Sequence, residues 1–73
     1  MFLSALKIGE KAVIKDFNPD LIPLKLIELG CLPDKEVELV QVAPLGCPMY
    51  FIMDDNRVAI RREIANEIQI EKL

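Results

Sequence analysis

Ala43-Pro44-Leu45-Gly46-Cys47-Pro48 places two prolines and a glycine within six residues. Proline fixes φ and removes a backbone donor, while glycine opens the φ > 0 regions. The hexapeptide therefore reads as a stiff, sharply bent loop with few donors free for a ladder, and its neighbours read as the strands it joins. On its N-terminal side, Lys35 to Ala43 gives the clearest strand pattern. Val37 and Leu39 alternate with Glu36, Glu38 and Val40. Val42 then shares parity with Val40, which predicts a bulge, or burial on both faces where the strand bends. On its C-terminal side, Met49 to Met53 predicts the next strand. Asp54-Asp55-Asn56 turns it into another, Arg57 to Ile60.

Outward from this centre the same period of two recurs. Glu10 to Phe17 alternates, with Ala12 and Ile14 on one face and Lys11, Val13 and Lys15 on the other. Leu3, Leu6 and Ile8 form an apolar lead-in that ends at Gly9. Asn18-Pro19-Asp20 stops the strand, and a helix follows over about 22–30 with Pro23 in its first turn. A start at Pro19 with Asn18 as N-cap is the alternative. Within the helix Leu24, Leu26, Ile27 and Leu29 are apolar, Lys25 and Glu28 face solvent, and Gly30 suits a left-handed C-terminal position. Residues 61–66 suit one helical turn, and Glu67 to Glu71 closes the chain with Ile68 and Ile70 on one face. Five short strands with two helical insertions predict a mainly β, small five-stranded barrel, because closure protects edges that short strands leave bare.

Composition narrows the function. The 73 residues make one small domain, 52% apolar, with 9 basic against 12 acidic side chains and a net charge of -3. That balance repels phosphate backbones, so nucleic acid is not an expected partner. Phe2, Phe17, Tyr50 and Phe51 are too few for a base-stacking platform. Cys31 and Cys47 form no disulfide framework, and neither a secretion signal nor a membrane-spanning stretch is expected from the pattern. A reducing, cytoplasmic setting without membrane insertion is the expectation.

The residues together resemble the FeoA family of small ferrous-iron transport accessory proteins. The resemblance covers nearly the whole chain. It lies in Leu3-Ser4-x-Leu6-Lys7-x-Gly9-Glu10, Leu26-Ile27-Glu28-Leu29-Gly30 and Ala43-Pro44-Leu45-Gly46-x-Pro48, then in Ala59-Ile60-Arg61-Arg62-Glu63-x-Ala65 and Ile68-x-Ile70-Glu71. It implies an SH3-like barrel. It also implies a partner, the cytoplasmic GTPase part of a ferrous-iron membrane transporter, which the chain would regulate or help assemble. Three positions depart from the family pattern: Cys47 replaces an aspartate, and Asp34 and Asp55 replace glycines in turns. A second implied role is a stand-alone regulatory domain like the C-terminal part of metal-dependent transcription repressors.

Side-chain chemistry points away from catalysis and metal. Zinc or ferrous sites need three or four convergent ligands, and this chain has no histidine and no paired cysteine spacing. The common general base is missing, as are a phosphate-binding loop and a nucleophile motif. No metal site, cofactor or catalytic residue is expected. Surface recognition remains, and the candidate partner-binding residues are Leu24 and Ile27 on the helix, Pro44, Leu45, Gly46, Cys47 and Pro48 in the loop, and Arg61. Arg61 has two readings, a solvated charge or a brace donating to loop carbonyls. Leu45 also has two, an outward tip or a plug over the barrel mouth. Self-association stays open.

Overall fold

A computed structural model describes residues 1–73. A 3-10 turn over Leu3–Ala5 precedes β1 (Lys11–Phe17), and a second over Pro19–Leu21 leads into α1 (Leu24–Glu28). Then come β2 (Glu36–Val42), β3 (Met49–Met53), β4 (Asn56–Ile60), α2 (Arg62–Ala65) and β5 (Ile68–Lys72). The strands form an antiparallel sheet in the order β4-β3-β2-β1-β5. Their apolar alternates all turn inward: Ala12 and Ile14, Val37 and Leu39, Met49, Phe51 and Met53, Val58 and Ile60, Ile68 and Ile70. Leu3, Leu6, Ile22, Leu26, Cys31 and Ala65 complete a core of 17 buried residues that contains no polar side chain. Burying a side chain such as Phe51 contributes about 2–3 kcal/mol, so this shared interior holds elements too short to stand alone.

The architecture is the expected SH3-like, mainly β one, but its closure differs. β4 and β5 end the sheet and do not pair with each other. α2 links them along the chain, and the N-terminal segment lies beside β5, with Phe2 bridging to Gln69 and Ile70 N–H donating to the Met1 carbonyl at 2.8 Å. Packing, not a continuous ladder, completes the barrel. The predicted break in β2 is a register shift between Leu39 and Gln41. A second shift in β1, between Ile14 and Asp16, had no signal in the alternation.

The helical segment is shorter than the expected 22–30. Asn18 caps a separate 3-10 turn, its Oδ1 accepting from Asp20 N–H at 3.0 Å, and Pro23 stands at the N-cap of α1 where its missing N–H costs nothing. Gly30 ends α1 at φ 111, as expected. Cys31 N–H donates to the Leu26 carbonyl at 3.0 Å and Gly30 N–H to Ile27 at 3.2 Å, the paired bonds of a Schellman end. Asp54 and Asp55, at φ 48 and 66, make a two-residue type I′ turn between β3 and β4. Asn56 Nδ2 ties this turn to α1 by donating to the Leu29 carbonyl at 3.3 Å.

Candidate functional site

Antiparallel connectivity sorts the loops to two ends of the barrel. The β1–β2 connection with α1 lies at the end of the Asp54-Asp55 turn. The β2–β3 loop, Ala43 to Pro48, lies at the other, beside α2. Pro44 sets the first bend of that loop, and Gly46 N–H closes it onto the Ala43 carbonyl at 2.8 Å. Gly46 sits at φ 87, a value other side chains rarely adopt, and the Cys47–Pro48 peptide is cis. Ala43 N–H donates to the Pro48 carbonyl at 3.1 Å, fastening the base. The tip that this frame presents is Leu45, 97% exposed. Leu45 is an outward tip and not a plug.

One side chain fixes the loop to the rest of the barrel, and it is Arg62. Its Nε and Nη2 donate to the Gly46 carbonyl at 3.2 and 3.0 Å, and its Nη1 to the Ser4 carbonyl at 3.3 Å. Its backbone N–H points at Cys47 Sγ, 3.4 Å away. The guanidinium fork thus bridges the loop and the N-terminal 3-10 turn. The brace proposed for Arg61 is therefore wrong by one residue. Arg61 is the extended N-cap of α2 and is exposed, with no ion pair or hydrogen bond from its side chain, whereas the first helical residue turns back over the loop. Ser4 carried no sequence signal for this contact, because only its carbonyl takes part.

The other candidates do not join this surface. Leu24 is 68% exposed and Ile27 half-buried against the core, but both belong to the β1–β2 connection at the opposite end. Leu21 and Leu24 are exposed there, separate from Leu45. A groove of about 280 Å³ also opens at that end, lined mostly by charged side chains of both signs, among them Lys35 and Asp54, paired 3.9 Å apart.

The two thiols differ in environment. Cys31 is fully buried, and desolvation pushes its thiol up to about 11, so it stays protonated. Cys47 is exposed in the loop. No three His, Cys, Asp or Glu side chains converge in a way that could hold a metal ion. No helix is long and apolar enough to cross a membrane.

Comparison with known proteins bears on this geometry. A model of the FeoA domain matches residues 1–72. The chain is 36% identical over 72 residues to the Fe(2+) transport protein A/Fe(2+) transporter FeoB fusion protein of Porphyromonas gingivalis, a match covering 97% of this chain and 8% of that protein. The solution structure of iron(II) transport protein A from Clostridium thermocellum is 34% identical and superposes with a TM-score of 0.88, covering 100% of this chain and 46% of the other. The crystal structure of Stenotrophomonas maltophilia FeoA complexed with zinc, described as a prokaryotic SH3 domain protein, is 29% identical. Its TM-score is 0.80, over 97% of this chain and 89% of that one.

Proposed function

The chain belongs to the FeoA family, and from that premise we propose that it is a non-enzymatic docking module for the cytoplasmic GTPase part of a ferrous-iron transporter. The contact is made by the braced loop Ala43 to Pro48. The observation that carries this reading is Leu45, an apolar side chain 97% exposed on a tip held by Arg62. A large side chain kept in water by a rigid frame gains most when a partner covers it, and little ordering entropy is lost on contact. The fusion relative, in which transport protein A and the transporter share one polypeptide, supports association of such a domain with the transporter. Docking would favour one conformational state of the partner over another, which is how a module without catalytic residues regulates or assembles it.

Leu45→Asp tests the reading. The side chain is free of the core, so the substitution should leave stability within about 0.5 kcal/mol of the parent. Loss of a central anchor should cost about 2 kcal/mol of binding, some thirtyfold in affinity, read by co-purification with the transporter from cytoplasmic membranes. Intact co-purification by a folded Leu45→Asp variant would remove the loop from the interface.

A further inference from the structure

The sheet has two terminal strands, and only one is covered. On the outer edge of β5, Phe2 bridges to Gln69 and the Met1 carbonyl accepts from Ile70 N–H. β4 ends the other side of the sheet with no strand beyond it. Register decides which of its groups are free. Met53 faces Asn56 across the two-residue turn, so Met53/Asn56, Phe51/Val58 and Met49/Ile60 are the hydrogen-bonded pairs. Ile52/Arg57 and Tyr50/Ala59 are the pairs between them. The N–H and C=O of Arg57 and Ala59 therefore point out of the sheet with no strand to receive them.

The side chains give this edge a sign. All three arginines of the chain fall within residues 57–62. Arg62 is engaged with the loop, whereas Arg57 and Arg61 are exposed and make neither an ion pair nor a side-chain hydrogen bond. The three ion pairs that do form all use lysines, at Lys15, Lys35 and Lys72. Arg57, Ala59 and Arg61 alternate along extended backbone and share one face. Small, exposed Ala59 lies between the two charges, opposite half-buried Tyr50.

We propose that β4 is a strand-addition site for an extended acidic segment of a partner protein. Backbone bonds to Arg57 and Ala59 would hold the segment, and two carboxylates four residues apart would meet Arg57 and Arg61. The chain's overall net charge of -3 disfavours acidic partners across most of its surface, so paired arginines at an unpaired edge select for this one strip. The site is separate from the Leu45 tip and stands whether or not that tip docks.

The probe is an end-blocked peptide, Thr-Glu-Val-Thr-Val-Glu-Thr, titrated into isotope-labelled protein and followed by amide exchange. In the free protein the Arg57 and Ala59 amides should exchange fast, and the peptide should slow both at least tenfold. The same peptide with lysine for glutamate should not. Ala59→Pro removes the outward donor and no ladder bond, so the fold should persist and binding should vanish. Arg57→Glu should weaken the glutamate peptide about tenfold and strengthen the lysine one. Several results would overturn the proposal. These are equal binding of the two peptides, or peptide binding that leaves Arg57 and Ala59 unprotected. Slow exchange of the Ala59 amide in the free protein would also count, because it would place that N–H in a hydrogen bond of the fold. Protection that rises with protein concentration alone would assign the edge to a second copy of the chain.

Discussion

Arg62→Ala removes the one side chain that ties the loop to the N-terminal turn. Three donor contacts go with it, two to the Gly46 carbonyl and one to Ser4. A net hydrogen bond contributes about 0.5–1.5 kcal/mol, and more when charged. Two considerations lower the sum. Arg62 is exposed, and both carbonyls would be rehydrated once it is gone, so no buried acceptor is orphaned. The expected loss is about 1–2 kcal/mol, a Tm drop of roughly 5–15 °C for a domain of this size. Arg61→Ala is the control and should stay within about 0.5 kcal/mol of the parent, since its side chain is exposed and makes no hydrogen bond or ion pair. Urea denaturation gives the energies, and hydrogen exchange at Gly46 reports the loop, whose turn bond should open faster only in Arg62→Ala. Arg62→Lys reaches one carbonyl at most and should fall between. Equal stability and equal Gly46 exchange in the Arg61 and Arg62 variants would refute the brace.

Other outcomes follow from the same geometry. A Cβ at Gly30 would lie 2.8 Å from Asp54 Cβ at φ 111, while one at Gly9, at φ 90, meets nothing within 4 Å. Gly9→Ala should therefore cost only backbone strain, about 1–2 kcal/mol. Gly30→Ala should cost more, and Asp54→Gly in the same chain should restore part of the difference. Equal losses at the two glycines would show that the turn and α1 do not touch. In native protein, Cys47 should react with iodoacetamide and Cys31 only on unfolding, because burial holds the Cys31 thiol at about 11. Mass spectrometry after a short pulse distinguishes them, and early labelling of Cys31 would contradict its burial.

The strands were legible because burial on one face imposes a period of two that no other structure tolerates. Val40 and Val42 even betrayed the bulge in β2, since a register slip must move apolar residues to the other parity. The β1 bulge at Lys15 had no such mark, because Lys15 and Asp16 are polar on either face. Gly30 was readable for a different reason: few residues other than glycine sit easily at its φ. The site was harder. In Arg61-Arg62 the chain switches from extended to helical, so one residue decides which guanidinium meets the loop, and composition is blind to that step. Leu24 and Leu45 are equally apolar in sequence, and only the antiparallel order of the strands assigns them to opposite ends.

That order also makes neighbours of the loop and the β4 edge. Met49, just after the loop, pairs with Ile60, just before Arg61, so Pro48 and Arg61 leave the sheet side by side. A partner that covers Leu45 is then already placed to lay a strand along β4, and the second contact forms at high effective concentration. If one partner uses both surfaces, Leu45→Asp and Ala59→Pro should each weaken it severely, and the double variant should bind no better than the weaker single one. The two losses need not add, because once either contact is gone the other acts alone and loses the advantage of linkage. If two different partners are involved, each variant should abolish capture of one and leave the other untouched. Quantitative capture on the same membranes with the three variants separates these cases, and a double variant that binds as well as the parent would exclude both surfaces together.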